Sequence, residues 1–83
     1  MRIRITKKDI RWARRNDWDR CPLAMALRRR WPRNHFQVFD EYIGVNGDRY
    51  SHTEDTKRFG DAWNDGPVSP MMLEVPDIRD SLE

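Results

Sequence analysis

The chain opens on a two-residue alternation. Arg2, Ile3, Arg4 and Ile5 place isoleucine at every second position ahead of Thr6. That period predicts a short strand with Ile3 and Ile5 on the buried side. The spacing then lengthens. Ile10 and Ala13 suit the inner face of a helix from about Lys7 to Asn16, with Thr6 as its N-cap. Asp9, three residues on, completes a capping box with aspartate in place of the usual glutamate. Asn16-Asp17-Trp18-Asp19-Arg20 breaks this helix. A second begins at Pro22, because a first turn has no use for the missing N–H. Leu23, Ala24, Leu27 and Trp31 fall at i, i+1, i+4 and i+8 and make one apolar face, which Pro32 ends.

Phe36–Val45 is rich in aromatic and β-branched residues and reads as a strand. Its alternation is imperfect. Phe36, Val38 and Tyr42 share one parity, while Phe39, Ile43 and Val45 share the other, so a bulge near Asp40-Glu41 or burial on both faces is expected. Asn46-Gly47 is a strong hairpin signal, since a type I′ turn needs two residues at positive φ. Asp48–Thr53 returns as the partner strand, with His52 expected across from Glu41. Thr53 or Asp55 can cap a third helix with Phe59, Ala62 and Trp63 on one face and Gly66 as a left-handed stop. Met71–Val75 is the last strand, and residues 76–83 are expected to fray. The order β-α-α-β-β-α-β predicts one α+β domain over residues 1–83, a small antiparallel or mixed sheet with helices packed on it.

Composition narrows this picture. With 83 residues the core is small, so nearly every large apolar side chain has to contribute to it. Four Trp, three Phe and two Tyr supply enough burial to keep a chain that is 36% charged out of the disordered class. Charges interrupt every apolar window, so no membrane segment is expected, and Met1–Ile5 lacks the apolar stretch of a secretory signal. The lone Cys21 cannot form an internal disulfide, which suggests a reducing compartment, the cytoplasm. Net charge is +2 but unevenly spread. Residues 1–33 hold 12 Lys/Arg and 3 Asp, a net +9; residues 34–83 hold 4 Lys/Arg and 11 Asp/Glu, a net −7. Either the halves neutralise one another or one face recruits a charged partner.

Candidate chemistry is sparse. Cys21 precedes a helix start beside Arg20, a setting that can lower a thiol pKa, but no base is evident and a packing role is favoured. His35 and His52 have no companions at metal-ligand spacing, and Asp40-Glu41 and Asp61/Asp65 read as a solvated acidic face. No catalytic residue, metal site or cofactor is expected. The feature that stands out is basic. Arg11, Arg14 and Arg15 share a face of the predicted first helix at i, i+3 and i+4, and Arg28, Arg29, Arg30 and Arg33 close the second. All seven are arginine, whose planar fork suits phosphate and carboxylate, and Trp12 and Trp18 offer stacking surfaces beside them. These nine residues form the expected binding surface.

Two segments together resemble a known group. Cys21-Pro22-Leu23-Ala24-Met25-Ala26-Leu27 is similar to a Cys-Pro-aliphatic-Ala-x-Ala-Leu motif after a strand and a Thr-x-x-Asp-Ile helix start. Phe59–Pro70 resembles a downstream pattern of two aromatics, Asp-Gly and Val-x-Pro before a closing strand. The pair resembles small uncharacterised proteins of bacteriophages and actinobacterial prophages, although Trp63-Asn64 stands where that pattern has Phe-Asp and Met72 where it has an aromatic. The resemblance covers about residues 3–75 and implies a phage accessory gene, with no activity to transfer. The expected function is therefore a non-enzymatic protein that binds and inhibits a host protein, such as a CRISPR-type defence effector, in the host cytoplasm. A nucleic-acid-binding module using the Arg/Trp surface, or a sponge for an anionic signalling nucleotide, is the alternative. A monomer or small homo-oligomer would serve any of these readings.

Overall fold

In the computed structural model, which describes residues 1–83, the chain forms five strands, three α-helices and a short 3-10 turn at Arg79–Ser81. Strand β1 (Arg2–Ile5) buries Ile3 and Ile5 and leaves Arg2 and Arg4 outside, as the alternation predicts. Its partner is β5 (Met71–Glu74), antiparallel, with Ile3 opposite Leu73. The remaining strands, β2 (Phe36–Val38), β3 (Tyr42–Val45) and β4 (Asp48–Ser51), form a separate three-stranded antiparallel sheet. The single sheet expected from the sequence is thus two sheets, and the α+β class holds.

The expected strand Phe36–Val45 folds back on itself. Phe36 pairs with Val45 and Val38 with Ile43, so Phe39, Asp40 and Glu41 are a hairpin loop rather than a bulge. That reversal explains the broken parity: Phe36, Ile43 and Val45 all reach the buried side from two different strands. The second hairpin matches its signal, with Asn46 at φ 52° and Gly47 at φ 91° between β3 and β4.

Helix α1 (Lys7–Arg11) has the predicted capping box: the Asp9 N–H donates to Thr6 Oγ1 at 3.2 Å and the Thr6 N–H to Asp9 Oδ2 at 2.8 Å. It is five residues long, far short of the expected end at Asn16. The Arg14 N–H donates instead to the Arg20 carbonyl at 2.8 Å, and Asn16 turns to φ 57°, so residues 12–20 form a loop closed on itself. Helix α2 (Pro22–Arg30) buries Leu23, Ala24, Ala26 and Leu27, with Pro22 at its first turn. Trp31 is its half-buried C-cap rather than a core residue.

Helix α3 (Glu54–Asp65) starts with a reciprocal cap between Thr53 and Thr56 and buries Phe59 and Trp63, while Ala62 is exposed. Gly66 ends it in extended backbone, not in the left-handed conformation expected. The first turn of α3 also covers the outer edge of β5. Thr53 Oγ1 donates to the Glu74 carbonyl at 2.6 Å, and the Glu74 N–H donates to Asp55 Oδ2 at 2.8 Å. Both outward backbone groups of Glu74 are thereby taken, which blocks this end of the edge from pairing with another chain.

One apolar cluster of 12 residues lies between the sheets and α2 and α3. It includes Ile78, only 1% exposed, with Leu82 packed against it. The segment expected to fray is therefore bound. Asn46 Nδ2 donates to the Ser81 carbonyl and to Asn34 Oδ1, both at 2.7 Å, and the Glu83 N–H donates to Asn34 Oδ1 at 2.7 Å. No helix is long and apolar enough to cross a membrane.

Candidate binding surface

The short α1 rearranges the predicted arginine face. Arg11 ends α1, while Arg14 and Arg15 lie in the loop, so the three do not share one helical stripe. Arg15 turns away from the others. Its guanidinium lies 3.6 Å from the Trp63 ring centroid, Nη1 donates to the Trp63 carbonyl, and Nη2 donates to the Gly66 carbonyl at 2.8 Å. The last turn of α3 has no basic residue of its own. Arg15 supplies the cation that the carbonyl end of a helix favours, from 48 residues away.

Arg29 is also structural. Nε and Nη2 each reach an Asp9 carboxylate oxygen at 3.2 Å, and Nη2 donates to the Arg4 carbonyl at 2.8 Å. Asp9 is only 4% exposed, so this fork neutralises a buried charge and covers the outer edge of β1 together. Arg28 donates to the Asp19 carbonyl and lies against Met25 Sδ at 3.8 Å, which ties the loop to α2.

The other expected arginines are free. Arg11, Arg14, Arg30 and Arg33 are exposed and have no carbonyl or carboxylate acceptor within the protein; Arg30 lies 5.0 Å from the Trp31 ring centroid. Side-chain ion pairs join Arg29 to Asp9, Lys57 to Asp61, Arg58 to Glu54 and Arg79 to Asp77. None connects a basic side chain of residues 1–33 with an acid of residues 34–83. The ion pair that does cross joins the Met1 ammonium to Glu74 Oε2 at 3.6 Å, so no arginine or lysine of the first half is neutralised by direct pairing with the second. Trp12 and Trp18 are 63% and 60% exposed. Trp18 is one end of a row of tilted rings, 5.1 Å from Phe39, which is 4.8 Å from Tyr42, which carries Arg49 at 4.7 Å.

The loop separates two clefts. The larger, of about 610 Å³, is walled by Trp18, Phe39 and Trp63 and takes in Cys21 and His52. The structure thus brings a thiol and an imidazole to one cleft, a neighbourhood the sequence did not reveal. Both are already engaged. Cys21 is the N-cap of α2, its Sγ accepting the Ala24 N–H at 3.4 Å, and burial pushes the thiol pKa above its ordinary value. A nucleophilic cysteine needs the opposite shift. His52 Nε2 donates to the Phe39 carbonyl at 2.7 Å, and Nδ1 meets the Thr56 hydroxyl at 2.9 Å, so His52 clamps the β2–β3 hairpin to α3 instead of pairing with Glu41.

The smaller cleft, of about 420 Å³, lies between the loop and the end of α2. Arg20, Arg28, Arg33 and His35 line it, with Asp19 as the one acid. Arg20 and His35 were not among the expected binding residues. Arg20 precedes the Cys-Pro helix start, and its backbone is held by the Arg14 N–H and by the Asp17 carbonyl. The three arginines come from a loop, a helix and the residue after Pro32, a convergence with no sequence period to announce it. No protein-family model, no curated protein and no solved structure matches this chain.

Proposed function

We propose that the chain is a non-enzymatic phage accessory protein that binds and blocks a host protein of the defence-effector class, acting in the host cytoplasm through its arginine face. One observation carries this reading: Arg11, Arg14, Arg20, Arg30 and Arg33 have no carboxylate or carbonyl acceptor within the protein, although the second half of the chain holds eleven acids. Unpaired like charges on one stretch repel, and an acidic partner surface relieves that through charge-assisted, often bidentate bonds. The raised thiol pKa of Cys21 and the engaged nitrogens of His52 favour binding over catalysis at the larger cleft.

The test is a pull-down from host lysate with the wild-type chain and with Arg11/Arg14/Arg30→Ala, each with and without nuclease, circular dichroism confirming the fold. Arg15 stays in place because it holds α3. A host protein retained by the wild type after nuclease and lost by the variant supports the reading. Loss of every band on nuclease treatment moves the function to nucleic-acid binding. Full retention by the folded variant moves the interface to the acidic side, around Asp40, Glu41, Asp61 and Asp65.

A further inference from the structure

The cleft of about 420 Å³ gathers Arg20 and Arg33 of that arginine face with Arg28 and His35, which the host-protein reading does not use. Arg28 is pre-set there, because its Nη2 bond to the Asp19 carbonyl fixes the guanidinium plane against the loop. Arg20 and Arg33 are exposed, with no acceptor inside the protein, and the His35 ring makes no hydrogen bond. Behind them the floor is closed and satisfied: Phe36 is buried, and the Asn34 side chain is bonded to Trp31, Asn46 and Glu83.

Charge decides what belongs in this space. With His35 neutral, three arginines and one aspartate leave a formal +2. The carbonyl end of α2 offsets about half a charge, and Arg28 and Arg30 in its last turn already answer it. Arg20 and Arg33 come from outside the helix and remain in excess. A carboxylate has two oxygens and cannot take forks from three guanidiniums. A phosphate ester presents three acceptor oxygens and carries a charge of about −1.5 to −2 at neutral pH as a monoester. The volume also exceeds one phosphate group, which leaves room for the esterified part of the ligand.

We propose that this cleft is a phosphate-ester site in which Arg28 orients the phosphate and Arg20 and Arg33 close on it. Asp19 works against the anion and limits affinity. The site shares Arg20 and Arg33 with the host-protein reading, but the two fail separately, because that reading's test removes Arg11, Arg14 and Arg30 and leaves this cleft intact.

The experiment is an NMR titration of the full chain, following arginine side-chain and His35 ring signals. The probes are adenosine monophosphate, adenosine, succinate and a 12-nucleotide oligothymidylate. Adenosine monophosphate and the strand are expected to shift Arg20, Arg28, Arg33 and His35, while adenosine and succinate leave them in place. Arg20→Ala and Arg33→Ala each weaken binding about tenfold, the loss of one charge-assisted contact. Asp19→Asn strengthens it. For the strand, each arginine removed flattens the salt dependence by about 0.7 in log–log slope. A strand that binds more than about tenfold tighter than the mononucleotide identifies nucleic acid as the source, and equal binding identifies a free nucleotide. Three results overturn the proposal: no shift with either phosphate probe, equal shifts with succinate or adenosine, or an equal loss of binding from Arg11/Arg14→Ala.

Discussion

At the scale of single residues, chemical type was readable and engagement was not. Arg15 belonged to an apparent binding stripe, yet it caps a helix 48 positions away, because only the folded loop brings it over Trp63. Arg15→Met keeps side-chain length and removes the charge. It should cost about 1–2 kcal/mol, the range for an exposed guanidinium losing carbonyl bonds and a ring contact. Hydrogen exchange should accelerate in the last turn of α3 more than in β1; uniform change across the chain would argue against a local cap. Cys21 gives a pH signature. Burial raises its pKa above the ordinary thiol value, so the neutral thiol is favoured by folding. That contribution is complete below the unfolded pKa and is lost as pH rises through the folded one. Urea midpoints of the wild type relative to Cys21→Ala should therefore hold level from neutral pH to about 8.5 and decline above it. A difference that grows with pH would contradict a desolvated thiol.

At the scale of elements, signals carried by neighbours in sequence were legible and those set by distant partners were not. The Thr6–Asp9 capping box, Pro22 at a first turn and the Asn46-Gly47 turn are all decided within four residues, and all three are present. The length of α1 was not readable, because Arg-Trp-Ala-Arg-Arg is acceptable helix sequence and the competing acceptor for the Arg14 N–H is the distant Arg20 carbonyl. Hidden likewise was the second role of Asn46. Its backbone makes the turn while its side chain holds Asn34 and Ser81. Asn46→Gly preserves positive φ and removes the clasp. The β3–β4 hairpin should then keep its exchange protection while residues 76–83 become sensitive to protease. If both stay protected, the clasp is not what binds the tail.

For the molecule as a whole, the charge split is readable along the chain but its outcome is not, since pairing between halves depends on which faces meet. It also left the tail unassigned to the core: Ile78 and Leu82 stand among prolines and acids with no period to mark them. A chain ending at Val75 removes a fully buried isoleucine along with the clasp, and should lose about 3 kcal/mol or more of stability. Guanidinium unfolding of the two lengths measures this, and matching midpoints would return residues 76–83 to the role of a loose end.

Strand β1 has a single partner, β5, and almost the whole chain lies between them. During synthesis β1 is made well before β5 and lacks its strand partner until residue 74 is out, roughly four to fifteen seconds later at ordinary elongation rates, although α2 can cover Ile3 and Ile5 sooner. The three helices and both hairpins can form in that interval from local contacts, but the β1–β5 sheet cannot close. Completion of the fold is thereby timed by synthesis of the last strand and of the tail that delivers Ile78 to the core.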